Sequence, residues 1–128
     1  MRPATNGLTH AEWSLMEALW KVSPLTGREL AQAMESSQGW SRSTTLTVLK
    51  RMCEKGQIAY TEETGVRLYQ PLIPREEALQ QETTSFLRRA YQGSVGMMIS
   101  SLTQKQALSK SEIQELYEIL RKAEEDAK

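Results

Sequence analysis

The sequence predicts a mainly α-helical fold with one small β-hairpin, and three observations support this prediction. A helix-start signal, the capping box, occurs three times among the 128 residues. Each capping box precedes apolar residues at helical spacing. After Gly56 the apolar period changes to that of a strand, and after Pro74 it returns to that of a helix. We therefore expect three helices, a hairpin and three further helices.

The first three helices are predicted in the first half of the chain. Thr9 with Glu12 and Thr26 with Glu29 begin the first two, because the threonine oxygen accepts an early backbone N–H while the glutamate reaches back to the cap. Residues 41–55 form the third helix, which ends before a glycine suited to the left-handed position. The helical spacing places these residues toward the core: Leu15, Met16, Leu19, Trp20, Leu30, Ala31, Met34, Leu46, Val48, Leu49, Met52 and Cys53.

A two-stranded hairpin is predicted over residues 57–70, where apolar and polar residues alternate on both sides of Gly65. Pro71 ends it, since proline donates no hydrogen bond to a strand ladder. Helices follow over residues 75–91 and 95–102. The third capping box, Ser109 with Glu112, begins the last helix.

A three-helix core completed by a hairpin is the arrangement of a winged helix-turn-helix domain. We predict a winged helix-turn-helix DNA-binding domain at residues 1–74 and a helical dimerisation domain at residues 75–128. The 16 basic and 16 acidic residues cancel overall. Residues 1–75 nevertheless hold nine basic against seven acidic residues, and residues 76–128 hold seven against nine. The slight excess of positive charge therefore lies in the predicted DNA-binding half.

The chain has few reactive side chains. Cys53 is the single cysteine and His10 the single histidine, which excludes a disulfide framework and a thiolate-rich metal site. We expect no enzyme activity, no metal and no cofactor, because no catalytic constellation is visible. No apolar run approaches the roughly 20 residues that span a bilayer. The first seven residues lack the apolar core of a secretory signal, so we expect a cytoplasmic protein without membrane insertion.

The predicted third helix has a polar face in addition to its core face. Hydroxyl groups and cations bind phosphate oxygens and base edges, and the N–H groups near Ser41 form a natural phosphate site. A polar face with two adjacent cations is also typical of a merely solvated helix, so the pattern leaves both interpretations open. Arg67 on the hairpin is a candidate contact to a minor groove or a phosphate. The polar face consists of Ser43, Thr44, Thr47, Lys50, Arg51 and Glu54.

The C-terminal half carries apolar stripes that need a partner surface. They could fold back on the first three helices, but a self-complementary two-fold interface is the commoner solution. A dimer also places two recognition helices about one turn of duplex apart, roughly 34–36 Å. The predicted interface residues are Phe86, Leu87, Tyr91, Val95, Met98, Leu102, Ile113, Leu116 and Leu120.

Five segments, in order along nearly the whole chain, resemble the penicillinase-repressor family (BlaI/MecI/CopY). Residues 8–13, with Met16, Leu19 and Trp20, are similar to the family's opening. Residues 39–41, with Thr44, Thr47, Leu49, Arg51, Lys55 and Gly56, are similar to its recognition-helix signature. Residues 69–73 resemble its wing exit, and residues 86–95 the start of its dimerisation region. Leu108, Ser109, Glu112, Ile113 and Leu116 resemble its last helix.

The resemblance implies a homodimeric transcriptional repressor. It would bind a two-fold operator of double-stranded DNA through helix 41–55 and hairpin 57–70, and leave it under antibiotic or other stress. Ser43 stands where the family often has a basic residue, and the nearby cation is Arg42. Trp40 is also a candidate for packing the turn. The residues that match the family's DNA surface are Trp40, Ser41, Thr44, Thr47 and Arg51.

The resemblance also suggests how such a repressor is released. The copper-responsive branch ends in a cysteine-rich motif, whereas this chain has no cysteine after Lys55. The antibiotic-responsive branch is cut by a partner protease, a membrane sensor, in the segment that aligns with residues 100–103. Ser101 and Leu102 replace the usual Asn-Phe pair there, and they form the candidate cleavage segment. The alternative is a winged-helix protein–protein interaction module without sequence-specific DNA binding.

Overall fold

A computed structural model describes residues 7–127, which form two compact units with the boundary between Ser85 and Phe86. The start of the chain, on which the expectation of no secretory signal rests, lies largely outside the described residues. The helices are α1 (His10–Lys21), α2 (Gly27–Gln38), α3 (Arg42–Glu54), α4 (Arg75–Tyr91), α5 (Val95–Thr103) and α6 (Lys110–Asp126). The strands are β1 (Leu25–Thr26), β2 (Ile58–Glu63) and β3 (Val66–Pro71), and a 3₁₀ turn covers Gln104–Gln106.

All three predicted capping boxes are formed. The Thr9 hydroxyl accepts from the N–H of Glu12 at 3.1 Å, and the Glu12 carboxylate accepts from the N–H of Thr9 at 3.0 Å. Thr26 with Glu29, and Ser109 with Glu112, make the same pair of bonds. Each box satisfies two backbone donors that a helix start leaves without an intrahelical partner. The starts of α1, α2 and α6 are therefore specified locally.

The sheet has three antiparallel strands in the order β1-β3-β2, so the prediction of a two-stranded hairpin was incomplete. β1 adds a third strand by pairing Leu25 with Tyr69 and Thr26 with Leu68. A strand of two residues is too short to show a period of two, which is why the pattern missed it. Residues 64 and 65 form the hairpin turn with φ of 50° and 79°. Two positive φ angles are typical of the two-residue turns that match strand twist.

The core of the first unit confirms most of the predicted apolar stripes, including Leu15, Leu30 and Leu49. The placement of Leu46 in the core was wrong, because its side chain is 42% exposed. Thr45 occupies the core side instead and is fully buried. Its hydroxyl donates to the backbone carbonyl of Ser41 at 3.4 Å, which satisfies the polar group inside. Leu46 is therefore turned outward on α3.

The first turn of α4 is fixed to α1 within the first unit. Arg75 donates from Nε and Nη2 to the two carboxylate oxygens of Glu17, each at 3.3 Å. The Trp13 indole N–H also donates to this carboxylate at 3.0 Å, and the Trp20 indole N–H donates to the carbonyl of Ile73 at 2.8 Å. The hydrogen bond from Arg75 is the main cause of the lowered pKa of Glu17. These contacts therefore hold the first turn of α4 against α1.

The first unit ends inside α4 and not at its start. Ala78 on the first turns of α4 is buried in the core of the first unit, together with Ile73 just before the helix. The functional division between residues 74 and 75 stays a prediction. No helix of the described residues is long and apolar enough to cross a membrane.

The second unit has helices whose apolar residues are not covered within it. α5 and α6, all of whose residues are described, contain no buried side chain. Of the 14 exposed large hydrophobic side chains in the described part of the chain, eight lie in this unit. Phe86 and Tyr91 pack edge to face with ring centroids 5.8 Å apart. The burial that a stable helical unit requires is thus largely unmet within this unit.

Candidate nucleic-acid interface

The first turn of α3 is an exposed cluster of hydroxyl groups at a helix N-terminus. Ser41 caps the helix by accepting from the N–H of Thr44 at 3.2 Å, and its hydroxyl also bonds that of Thr44 at 3.0 Å. Thr47 donates its hydroxyl to the carbonyl of Ser43 at 2.9 Å, which leaves its oxygen able to accept. The first turn contains no acidic residue. The positive end of the helix dipole therefore faces solvent without a neutralising carboxylate.

Two exposed cations of α3 have no ion-pair partner in the part of the chain that the structure describes. Arg42 lies in the first turn and Lys50 two turns later, both on the solvent side of the helix. Within residues 7–127 no carboxylate lies within ion-pair distance of either side chain. A free exposed cation can bind a phosphate without first breaking a protein contact. These two are accordingly the simplest phosphate-binding candidates on the helix.

The other two cations of this region, Arg51 and Lys55, are engaged by one buried carboxylate. Lys55 Nζ donates to Glu12 Oε2 at 2.6 Å, and Arg51 Nε lies 3.5 Å from the same oxygen. Gln57 Nε2 donates to Glu12 Oε1 at 3.3 Å. Glu12 itself is fully buried, while Arg51 and Lys55 stay about half exposed. Glu12 therefore joins α1, the end of α3 and the start of the hairpin.

Burial and hydrogen bonding act on Glu12 in opposite directions. Burial favours the neutral acid, but hydrogen bonds from Lys55, the Thr9 N–H and Gln57 favour the carboxylate more strongly. The net effect holds the pKa of Glu12 below its ordinary value. The sequence pattern around Glu12 indicates only a capping box. Its further partners lie 43 and 45 residues along the chain, so no local pattern identifies them.

Trp40 lies at the turn between α2 and α3. Gly39 ends α2 with φ of 73°, and the N–H of Trp40 donates to the carbonyl of Met34 at 3.4 Å. The Trp40 side chain is half-buried and packs against the core of the first unit. Packing the turn, the second role considered for this residue, is thus visible in the structure. A DNA contact by Trp40 stays a prediction.

Arg67 on β3 is held against the hairpin by its neighbours on β2. Its guanidinium lies over the Tyr60 ring, 4.1 Å from the centroid, and Nε is 3.6 Å from a carboxylate oxygen of Glu62. Glu62 is its cross-strand partner in the register. A cation that shares its charge with an adjacent glutamate binds phosphate less strongly than a free one. The predicted DNA contact by Arg67 has weaker structural support than those by Arg42 and Lys50.

The predicted interface residues of the second unit are exposed or half-buried. Ser101 and Leu102, the candidate cleavage segment, are both exposed within helix α5. The exposed members of the predicted interface are Phe86, Val95, Leu102, Ile113 and Leu120, and the half-buried ones are Leu87, Tyr91, Met98 and Leu116.

Three helices and a three-stranded sheet, with a polar third helix exposed, define the winged helix-turn-helix class. The sequence profile of the penicillinase repressor family matches residues 8–122. The chain belongs to this family. It is a family of repressors and not of enzymes, which confirms the expectation that this chain is not an enzyme.

Individual relatives agree with the family assignment. The chain is 32% identical over 113 residues to the penicillinase repressor of Bacillus licheniformis, covering 88% of each chain. It is 25% identical over 118 residues to the methicillin resistance regulatory protein MecI of Staphylococcus aureus, covering 92% of this chain and 96% of MecI. The solution structure of the DNA binding domain of the repressor BlaI is similar with a TM-score of 0.52 and 27% identity. That likeness covers 57% of this chain and 89% of the BlaI domain.

Proposed function

We propose that this chain is a DNA-binding transcriptional repressor that acts as a homodimer on a two-fold operator. The observation that carries the proposal is the exposed face of α3. It offers hydroxyl groups, a helix N-terminus without an acidic residue in its first turn, and the cations Arg42 and Lys50, which have no ion-pair partner among residues 7–127. These are the groups that bind phosphates and base edges in duplex DNA. Membership of the penicillinase repressor family and the likeness to the BlaI DNA binding domain support the same function.

In the proposed complex α3 lies in the major groove. Arg42, Lys50 and the N–H groups at the start of α3 that Ser41 does not cap would bind phosphates and fix the register. The hydroxyl groups of Ser43, Thr44 and Thr47 would lie toward base edges, where a hydroxyl can donate or accept. Arg51 would bind the backbone beside them while its ion pair with Glu12 orients it. The hairpin would add Arg67 at the flank of the site.

The proposed dimer is supported by the apolar residues that the second unit leaves uncovered. Pairing two copies through these residues would bury what each chain leaves exposed. It would also hold two α3 helices at a separation of about 34–36 Å, so that both bind one face of the duplex. Two weakly charged subunits would then bind more tightly together than either does alone.

We propose that release follows cleavage by a partner protease at Ser101 and Leu102. A cut there would separate Ile113, Leu116 and Leu120 from the DNA-binding unit, and the proposed interface would lose its last helix. Both residues are exposed but helical, so this end of α5 would have to unwind before it enters a protease. The partner that this scheme requires is a membrane sensor-protease. We propose that the repressor itself is cytoplasmic, where such a protease could cut it.

Lys50→Ala is expected to lower the salt dependence of DNA binding. Each phosphate contact that is lost reduces the slope of log affinity against log salt by about 0.9, or roughly two units for a dimer with one such contact per protomer. Fluorescence anisotropy with a labelled operator duplex, titrated at several salt concentrations, measures this slope. Lys21→Ala is the matched control, since Lys21 is an exposed lysine at the end of α1.

The same titration, repeated with a duplex of shuffled sequence, separates the proposed function from its alternative. A protein–protein interaction module would show no sequence preference for duplex DNA. An unchanged slope in Lys50→Ala, or the same reduction in Lys21→Ala, would remove α3 as the DNA-binding helix.

A further inference from the structure

Leu46 is an exposed leucine beside a buried threonine. Thr45 is fully buried, whereas the Leu46 side chain is 42% exposed one position later. Single exposed leucines are common and by themselves indicate nothing. Here the exposure lies on the helix that carries the proposed DNA face. Among the side chains of α3, all of which the structure describes, Leu46 is the one exposed large hydrophobic group.

The neighbours of Leu46 on the helix surface are polar. Arg42 lies one turn before it and Lys50 one turn after it, and both are exposed without an ion-pair partner in the described residues. Ser43 and Thr47, also exposed, lie on its other side. Residues three and four apart are adjacent on a helix, so this apolar side chain stands between two cations without an ion-pair partner in the described residues and beside the hydroxyl group of Ser43.

The side chain of Leu46 is supported from one side. Its Cδ2 lies 3.8 Å from the point where a Cβ on Gly27 would be, and Tyr69 Cε2 lies 3.7 Å from the same point. The leucine thus lies beside the start of α2, and 42% of its surface is exposed to solvent. A side chain supported in this way loses less conformational freedom on binding than a free one.

We propose that Leu46 contacts the C5-methyl group of a thymine in the major groove of the operator. This inference rests on the proposed DNA-binding function and adds a base preference to it. The cations on either side would bind phosphates, which places the residue between them at the base edges. The thymine methyl is the apolar group that the major groove offers there. A protein partner fits less well, because one leucine among cations and hydroxyl groups is no extended apolar patch.

The test replaces thymine by uracil, which exchanges the C5-methyl group for hydrogen and keeps base pairing. The operator duplex comes from selection of bound sequences out of a random pool by the wild-type protein. Each thymine is then replaced in turn. We expect one thymine position per half-site at which uracil weakens wild-type binding about four-fold, the effect of one buried methyl group. At that position Leu46→Ala should bind the thymine and uracil duplexes equally.

A control variant and three possible results separate the outcomes. Val22→Ala removes an exposed apolar side chain away from α3 and should keep the wild-type preference for thymine. A thymine preference that persists undiminished in Leu46→Ala, or a wild type that accepts uracil at every position, overturns the assignment of Leu46 alone. A wild type that selects no sequence overturns the proposed function, and the inference with it.

Discussion

Replacing Glu12 by alanine is expected to lower the free energy of unfolding by about 3 kcal/mol. The substitution removes the acceptor of the Thr9 N–H, which is one half of the capping box. It also leaves the Gln57 amide nitrogen buried without its partner, while the oxygen of this amide already has no partner among the described residues. An orphaned buried polar group costs roughly 1–3 kcal/mol, and a lost cap about 1 kcal/mol. Arg51 and Lys55 add little, because both can turn to water.

Denaturant unfolding followed by circular dichroism measures this change. Glu29→Ala is the matched control, because Glu29 holds the same place in the second capping box but is exposed. The control should cost about 1 kcal/mol. Equal costs for the two variants would show that Glu12 acts only as a helix cap. The three contacts beyond the cap would then contribute nothing to stability.

The charge of Glu12 is tested separately by Glu12→Gln, which keeps the volume and a capping-box side chain. A carboxylate whose pKa is lower in the folded chain than in the unfolded chain stabilises the fold at every pH above the unfolded pKa. This contribution is lost as the pH falls through the lowered pKa of the folded chain. The difference in unfolding free energy between wild type and Glu12→Gln should therefore be constant near neutral pH. This difference should shrink at pH values below 4.5, the ordinary pKa of a glutamate. A pH-independent difference would contradict the lowered pKa.

Leu102→Asp is expected to dissociate the proposed dimer and weaken operator binding on the order of 100-fold or more. Leu102, Val95 and Met98 lie on one face of α5, which we call the α5 stripe. Each protomer of a two-fold dimer carries the substitution, so it occurs twice in the interface. An aspartate in that interface would bury an unpaired charge. The mass measured by sedimentation velocity at micromolar concentration and the affinity measured by operator titration should fall together, because a monomer presents only one α3 helix.

Ser100→Asp is the control for this variant. Ser100 is exposed on the same helix but points away from the stripe. The Ser100→Asp variant should leave both the sedimenting mass and the operator affinity unchanged. A wild type that sediments as a monomer, or a Leu102→Asp variant that still sediments as a dimer, would contradict the proposed interface.

The local features of this fold could be predicted from the sequence, and the long-range ones could not. The capping boxes at Thr9, Thr26 and Ser109 are formed by residues three apart, so a short pattern identifies them. β1 exists because Leu25 and Thr26 pair with a strand more than 40 residues later, and two residues show no period. The prediction that Leu46 is buried was wrong. The rotation of α3 against its neighbours decides which residues at the edges of its apolar face are turned toward the core, and helical spacing does not give this rotation.

The candidate site follows the same division. The exposed hydroxyl groups and cations of α3 could be predicted from helical spacing alone. Helical spacing did not distinguish Lys50, which has no ion-pair partner in the described residues, from Arg51, which pairs with a glutamate from α1. It also did not show that Arg67 stacks on Tyr60. Both differences depend on contacts between separate elements, and they change which cations are expected to bind phosphate most readily.

The most direct test of a dimeric DNA-binding repressor is selection of bound duplexes from a random pool by the wild-type protein. Titration of the enriched duplex and a shuffled duplex over a range of salt concentrations then measures preference. We expect a two-fold site with half-site centres one helical turn or a multiple apart, and an affinity that falls steeply with salt. Absence of an enriched sequence, with equal and salt-insensitive binding of both duplexes, would contradict DNA recognition by α3 and favour the protein–protein interaction module.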